Sequence, residues 1–374
     1  MSLSIYLADL SHDTIGLATE VFPLNIGYVG AYCIKVFGES VDVKLFKYIE
    51  DLESAIYDNP PDVLALSNYP WCHNIDLAML DLLAERKPEA IRVMGGPNFP
   101  HISGLQEEFL RIRPIIDAYV YLEGELPFSN LIKLIIDTGE ISKVRELLKS
   151  GEVVPGIANL SHDGKMIKAP DALRMKQLDD VPSPYLTGLL DKFFDGRLSP
   201  MIQTNRGCPF ACTYCADGSA LTNKVFNFNL ERVKDEITYI AQRVPNNVKA
   251  LFLSDLNYGM FKRDSEISKH TADIREQYNY PHYFEATTGK NSKTRVIQNV
   301  ELLQGTMQIG MSIQSMSPAV LKNIKRDNMR LDDFLGLKPA IRKAGLPTAS
   351  ELILALPGET KESHIMAIGN LLDA

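Results

Sequence analysis

Through residues 1–150, short apolar runs alternate with amphipathic stretches. The runs at 3–8, 41–46, 62–67, 90–94 and 117–121 have the length of buried strands. The stretches at 26–37, 50–57, 73–86, 103–111 and 126–137 carry apolar residues at helical spacing. Strand and helix in regular succession predict a parallel sheet wound by right-handed crossovers. Between 151 and 199 the helical period is lost. Two extended runs flank His162-Asp163-Gly164, a hairpin turn signal, and two prolines follow in LDDVPSPY. This region reads as a linker carrying a small β-hairpin. From 200 the alternation resumes, with strands predicted at 200–204, 249–254, 282–287, 307–313 and 348–355. Helices are predicted near 229–243, 264–277, 292–303, 317–325, 331–344 and 360–372.

The pattern therefore divides into an α/β unit at 1–150, a linker at 151–199 and a second parallel α/β unit at 200–374. Five strands in the first unit predict a flavodoxin-like, Rossmann-type doubly wound sheet. A ligand of such a sheet sits at the carboxyl ends of the strands. There is no repeat and no low-complexity segment.

Composition narrows the picture by exclusion. A chain of 374 residues with 45% hydrophobic and 23% charged residues is ordinary globular protein. The net charge of −8 gives no electrostatic reason to expect nucleic acid as a partner. No run approaches the ~18 apolar residues of a membrane span, and MSLSIYLADL lacks the basic-then-apolar order of a signal peptide. A cytoplasmic chain is the expectation.

Cysteine placement supplies the chemistry. Cys33 and Cys72 stand alone, whereas Cys208, Cys212 and Cys215 fall on one loop directly after the first strand of the second unit. Outside an oxidising compartment such a cluster speaks for metal rather than disulfides. Three thiolates suit iron–sulfur or zinc. Structural zinc needs a fourth protein ligand, and neither His270 nor His282 stands in a paired ligand arrangement. Three ligands without a fourth favour a [4Fe–4S] cluster with one iron open.

The C-x3-C-x2-C spacing, with the aromatic Tyr214 before the third cysteine, resembles the radical S-adenosylmethionine (SAM) superfamily. The resemblance implies a partial (β/α)6 barrel. Its cysteines would hold three irons, and the fourth iron would chelate SAM. Reductive cleavage would give a 5′-deoxyadenosyl radical that abstracts a substrate hydrogen. It also implies a set of SAM-binding residues at the strand ends: Tyr214, Asp255, Glu285, Ser312, Gln314 and Gly358. Asp255 matches the family's SAM-amine segment by position only, and its alternative is a helix N-cap. Ile309–Ser315 resembles the IGxQS segment. Ala355-Leu-Pro-Gly358-Glu-Thr360 resembles GLPGET with alanine for the first glycine. Arg326 resembles a basic residue of the stretch after strand four, and reads as a solvated helix face.

The first unit in turn resembles the cobalamin-binding domain that precedes such barrels. Pro23–Gly30 matches its first helix, Ser67-Asn68-Tyr-Pro-Trp71 its S-x-Y-x-W turn, Gly95-Gly96-Pro97 its GGP loop, and Glu123-Gly124-Glu125 its GEGE turn. The implied cobalamin contacts are Ser67, Asn68, Trp71, Gly95, Gly96, Glu123 and Gly124. The D-x-H-x-x-G cobalt-ligand motif is out of frame here, since Asp9 and Gly16 are each one residue too far from His12, which reads as a surface loop.

The function implied is a cobalamin-dependent radical SAM enzyme. It would methylate, or rearrange, an unactivated carbon of a small molecule, with an electron donor such as flavodoxin or ferredoxin. A methylthiotransferase would need three N-terminal cysteines, and only Cys33 and Cys72 are present. A non-catalytic metal-binding interaction protein is the other alternative. The family core has six β/α units and the pattern yields five, so a chain truncated after the fifth unit is expected. The alternative is a five-strand barrel capped by the N-terminal domain or a partner chain.

Overall fold

The computed structural model describes residues 2–13, 19–289, 293–307, 309–326 and 348–373, which group into two compact units, Met1–Phe193 and Phe194–Ala374. The first contains β1 (Leu3–Ser11), α1 (Leu24–Phe37), β2 (Val41–Tyr48), α2 (Ile49–Asp58), β3 (Val63–Ser67), α3 (His73–Arg86), β4 (Ile91–Gly95), α4 (Ser103–Arg111), β5 (Ala118–Val120) and α5 (Glu125–Thr138). Every strand and helix predicted before 140 is present within a few residues. β1 to β5 pair in parallel in the order β2-β1-β3-β4-β5. That order reverses between β1 and β3, so the ligand crevice of such a sheet opens at their carboxyl ends.

Both faces of β1 are buried because helices cover both sides of the sheet. Tyr6, Ala8 and Leu10 pack with Leu52 and Ile56 of α2, Leu80 and Leu83 of α3, and Phe109 and Leu110 of α4. Ile5 and Leu7 alternate onto the other face, where they are equally buried. There Gly30 lets α1 approach the sheet: a Cβ on it would stand 3.3 Å from Leu45 and Val43.

Two features depart from the expectation. A helix α6 (Ile141–Ser150), unpredicted, buries Val144 and Leu148. The hairpin of 151–199 is not a linker element: β6 (Ile157–Leu160) adds antiparallel to β5, and β7 (Met166–Lys168) to β6, making a seven-stranded sheet. Apolar burial explains the docking, since Ile157 and Ala158 are buried, and Asn159 Nδ2 donates to the Leu148 carbonyl at 2.8 Å.

In the second unit β8 (Met201–Ile202), β11 (Ala250–Tyr258) and β12 (Tyr283–Thr288) form a parallel sheet, and β13 (Ile309–Gln314) pairs in parallel with β14 (Thr348–Leu352). A two-residue antiparallel ladder, β9 (Asn205–Arg206) with β10 (Phe226–Asn227), closes the cysteine loop. The helices are α7 (Leu230–Ala241), α8 (Asp264–Tyr278), α9 (Lys293–Leu302), α10 (Pro318–Asn323) and α11 (Lys361–Asp373). Asn229 caps α7, accepting from the Glu231 amide at 2.9 Å, and Ser317 caps α10 ahead of Pro318. The helix predicted at 331–344 lies outside the described residues, as does Gly16. No helix among the described residues is long and apolar enough to cross a membrane.

Candidate functional site

The carboxyl edge of the first sheet is built from the loops after β1, β3 and β4. Ser67 closes β3, and its Oγ accepts from Asn25 Nδ2 at 2.8 Å. Trp71 lies flat on Tyr69, centroids 4.7 Å apart at 11°, and keeps 47% of its surface exposed. Gly95 and Gly96 permit close packing: a Cβ on Gly95 would stand 3.2 Å from Val120. Gly96 has φ +120, and its Cβ would stand 3.0 Å from the Asn68 carbonyl. Gly124 precedes α5, with Val29 where a Cβ would go.

Two residues of the expected contact set are engaged within the protein. Asn68 is fully buried; its Nδ2 donates to the Asn98 carbonyl at 3.3 Å and to Tyr119 Oη at 3.0 Å. Its Oδ1 accepts from His73 Nδ1 at 2.8 Å and from Asn98 Nδ2 at 3.2 Å. A side chain with both amide ends engaged this way fixes the β3 and β4 loops to each other and has none of its surface left to touch a cofactor. Glu123 pairs with Arg174 Nε at 2.8 Å and accepts from the Met175 amide at 3.2 Å, tying down the segment after the hairpin.

His73 completes the Asn68 network. With Nδ1 donating to Asn68, Nε2 accepts from Arg113 Nε at 2.8 Å, which requires the neutral ring. Burial, then the Arg113 charge, holds its pKa below the ordinary 6.5. The unfolded chain therefore binds the proton first as pH falls. The contribution of His73 to stability is expected to be full above about pH 6.5 and to decline as pH drops from there through the lower folded-state value. His73→Gln should flatten that part of a thermal-unfolding pH profile; an unaltered profile would exclude His73 as its source.

Asp9 is held by the buried Lys47 at 3.1 Å. Burial pushes the thiols of Cys33 and Cys72 up to about 12, and Cys72 Sγ donates to the Leu10 carbonyl at 2.7 Å. Neither has thiolate character.

The three-cysteine loop leaves the end of β8. Gly207, at φ +104, allows the entry to Cys208, since any Cβ there would collide with the Lys224 carbonyl. The Cys208 amide donates to the Thr222 carbonyl at 3.1 Å and the Cys215 amide to the Cys212 carbonyl at 3.2 Å. Cys208 and Cys212 are buried and Cys215 is half-buried. Among the described residues no three His, Cys, Asp or Glu side chains converge closely enough to hold a single metal ion. A cubane makes no such demand, since each cysteine binds a different iron. The donor set fits that group: Asn257 Nδ2 points at Cys208 Sγ at 3.3 Å, and Arg326 Nη1 at Cys212 Sγ at 3.9 Å.

The expected role of Asp255 is corrected. Its Oδ1 accepts from the Thr204 amide at 2.7 Å and the Asn205 amide at 3.3 Å. Its Oδ2 accepts from Thr204 Oγ1 and from Asn205 Nδ2 at 2.5 Å. Four donors fill a carboxylate's acceptor sites, so this side chain neither reaches a ligand nor caps a helix. It fastens β11 to the start of the cysteine loop and pulls Thr204 off β8, which is why β8 is shorter than predicted. Burial pushes Asp255 up to about 7 against the pull of the Thr204 and Asn205 hydrogen bonds.

Arg326 is also corrected. It is 5% exposed, lies just past α10, and donates to Tyr214 Oη at 2.6 Å and to the Ser312 carbonyl. Burial, partly offset by Arg326, pushes Tyr214 up to about 12. Glu285 is half-buried on β12, opposite Phe252 of β11. Ser312 Oγ donates to Glu351 at 2.6 Å. Gln314 is buried at φ +67, and its Oε1, like Asn257 Oδ1, is a buried acceptor with no donor among the described residues. Gly358 has φ +84 with Asn323 against it. Ala355, standing where the resembling turn has glycine, is itself left-handed at φ +62. Asn257, absent from the expected set, had a signal in the sequence: it continues the inward alternation Leu251, Leu253, Asp255 along β11.

The chain matches the family model of the Radical SAM superfamily over residues 202–368 and that of the B12 binding domain over residues 14–132. It is 34% identical over 327 residues to the cobalamin-dependent radical SAM methyltransferase TokK of Streptomyces tokunonensis, covering 84% of this chain and 45% of that protein. The chain is a radical SAM superfamily protein that carries a B12 binding domain. The 2-(S-pantetheinyl)-carbapenam-3-carboxylate methyltransferase of Streptantibioticus cattleyicolor is 33% identical, over 87% of this chain and 46% of that protein. The chain thus spans about half the length of these curated relatives. In fold it is similar to the cobalamin-dependent SAM radical enzyme OxsB, at TM-score 0.70 and 16% identity over 99% of this chain and 52% of that one. It is also similar to the radical SAM methyltransferase TsrM of Kitasatospora setae, at TM-score 0.69 and 12% identity over 100% of this chain and 70% of that one. The cofactors of the family are a [4Fe–4S] cluster, SAM and cobalamin.

Proposed function

We propose that this chain carries the cofactor-binding portion of an enzyme that transfers a methyl group to an unactivated carbon of a small molecule. The observation that carries the reading is a single loop presenting Cys208, Cys212 and Cys215, two of them buried with N–H donors on their sulfurs, in the same chain as a 2-1-3-4-5 sheet. The strands β8, β11, β12, β13 and β14 are read as five strands of a (β/α)6 barrel, and residues 1–150 as the cobalamin unit.

A cluster held by Cys208, Cys212 and Cys215 would, with SAM bound, supply one-electron reductive chemistry at the sulfonium. The protein's own work is to hold, orient and exclude water. Cys208, Cys212 and Cys215 are assigned to three irons. Gln314 Oε1 and Asn257 Oδ1, orphaned acceptors, suit the ammonium or ribose hydroxyls of SAM. Glu285, Ser312 and Gly358 remain candidates at the strand ends, while Asp255 and Tyr214 position the loop. In the first unit Trp71 offers an exposed apolar ring to a corrin face, with Ser67, Gly95, Gly96 and Gly124 shaping the crevice. The reducing electron comes from a partner of flavodoxin or ferredoxin type.

The test is anaerobic iron and sulfide reconstitution, with and without hydroxocobalamin, followed by incubation with SAM and a chemical reductant. Broad visible charge-transfer absorbance, corrinoid bands and 5′-deoxyadenosine are expected. A colourless protein with bound zinc and no SAM cleavage would instead favour the metal-binding interaction protein. Cys33→Ala and Cys72→Ala are expected to keep the full iron content, because both thiols are buried and protonated. Iron loss in either would revive the methylthiotransferase reading with its second cluster.

A further inference from the structure

Two hydrogen-bond donors reach the cysteine sulfurs from different elements of the second unit. Asn257 sits near the end of β11, 2% exposed, two residues beyond Asp255 on the same strand face. Asp255 holds the first residues of the loop through Thr204 and Asn205, so Asn257 is aimed at Cys208 from an anchored strand. Arg326 arrives from beyond α10. Its guanidinium spans Cys212 Sγ, Tyr214 Oη and the Ser312 carbonyl. The Thr213 amide also donates to the Ile324 carbonyl at 3.0 Å, so loop and post-α10 segment are joined by backbone as well. Arginine remains charged at any working pH, and burying one is costly unless its partners repay the lost hydration. Among its partners are a sulfur, a phenol and a carbonyl.

We infer that Arg326 and Asn257 are positioning residues that set the reduction potential of the cluster by donating hydrogen bonds to two of its three cysteine sulfurs. The inference rests on the cluster reading above. Its physical basis is charge: the reduced cluster carries one more electron, and N–H groups and a cation beside the sulfurs stabilise that form. Removing either donor makes the cluster harder to reduce, so SAM cleavage weakens without loss of a ligand.

The test is an EPR-monitored redox titration of the reconstituted full chain, without SAM, with iron and sulfide content measured alongside. Asn257→Leu keeps the side-chain volume and removes the donor. At wild-type iron content the equilibrium between oxidised and reduced cluster is expected to shift about tenfold toward oxidised, a midpoint about 59 mV more negative. Asn257→Asp, which sets a carboxylate against sulfur, should shift it further in the same direction. Arg326→Met should match or exceed Asn257→Leu, and Arg326→Lys should recover part of the shift. If Arg326→Met fails to hold iron, Arg326→Lys and the Asn257 variants carry the measurement. Unchanged potentials at full iron content in Asn257→Leu and in the arginine variant that retains iron would overturn the inference. A wild-type chain that holds no iron, or a Cys208→Ala variant that keeps a full cluster, would count against the cluster reading itself.

Discussion

Cys208→Ala, Cys212→Ala and Cys215→Ala are each expected to abolish 5′-deoxyadenosine formation and strip the visible charge-transfer absorbance. The reason is the ligand count. Three cysteines would leave one iron free for SAM, with each thiolate assigned to its own iron. Loss of any thiolate therefore cannot be compensated locally. The fold should survive, because the loop is also held by the Cys208–Thr222 and Thr213–Ile324 backbone bonds and by the Asp255 anchor. A single buried Cys→Ala change costs on the order of 1 kcal/mol, small beside the stability of a domain. Circular dichroism at wild-type amplitude, together with iron at background, is the expected pair of results. Turnover retained in any one variant would refute that cysteine's assignment.

Asp255→Ala is expected to produce the largest stability loss in the second unit. The carboxylate receives the Thr204 and Asn205 amides and both their side chains, all in the buried interior. Each buried donor left without a partner costs ~1–3 kcal/mol, and water entering the vacated volume offsets part of the total. A net loss of about 3–4 kcal/mol, or a fall of roughly 10 °C in the melting temperature, is expected. Iron occupancy should fall with it, since the first residues of the loop are then unanchored. Asp255→Asn should lie between wild type and alanine, because its amide nitrogen would face donors rather than accept from them. A melting temperature and iron content both unchanged in Asp255→Ala would show that the loop is anchored elsewhere.

Much of the first unit is legible in the sequence because its information is local. Buried parallel strands read as apolar runs, and amphipathic helices separate them. The hairpin at 157–168 is legible as a hairpin, but its place in the sheet is not, since that is fixed by pairing with β5 across the intervening helices α5 and α6. The cysteine loop is legible for the same local reason: ligand spacing and the glycine at Gly207 lie within one short segment. Arg326 is not. Its burial depends on Tyr214 and Cys212, 112 and 114 residues away, and without them a lysine-rich stretch reads as solvent-facing. Asn68, Glu123 and Asp255 show a second limit. A motif indicates that a polar residue is needed at a position, but a ligand contact and an internal strut ask for the same residue type. Only the partners' coordinates separate them.

The exposed Trp71 has one more consequence. It is the sole tryptophan of the chain, stacked on Tyr69 at the carboxyl edge of the first sheet. Indole emission from the whole chain therefore originates at one address, beside the crevice between β1 and β3. The protein carries its own optical gauge of that crevice: an absorbing corrin seated there would dim it.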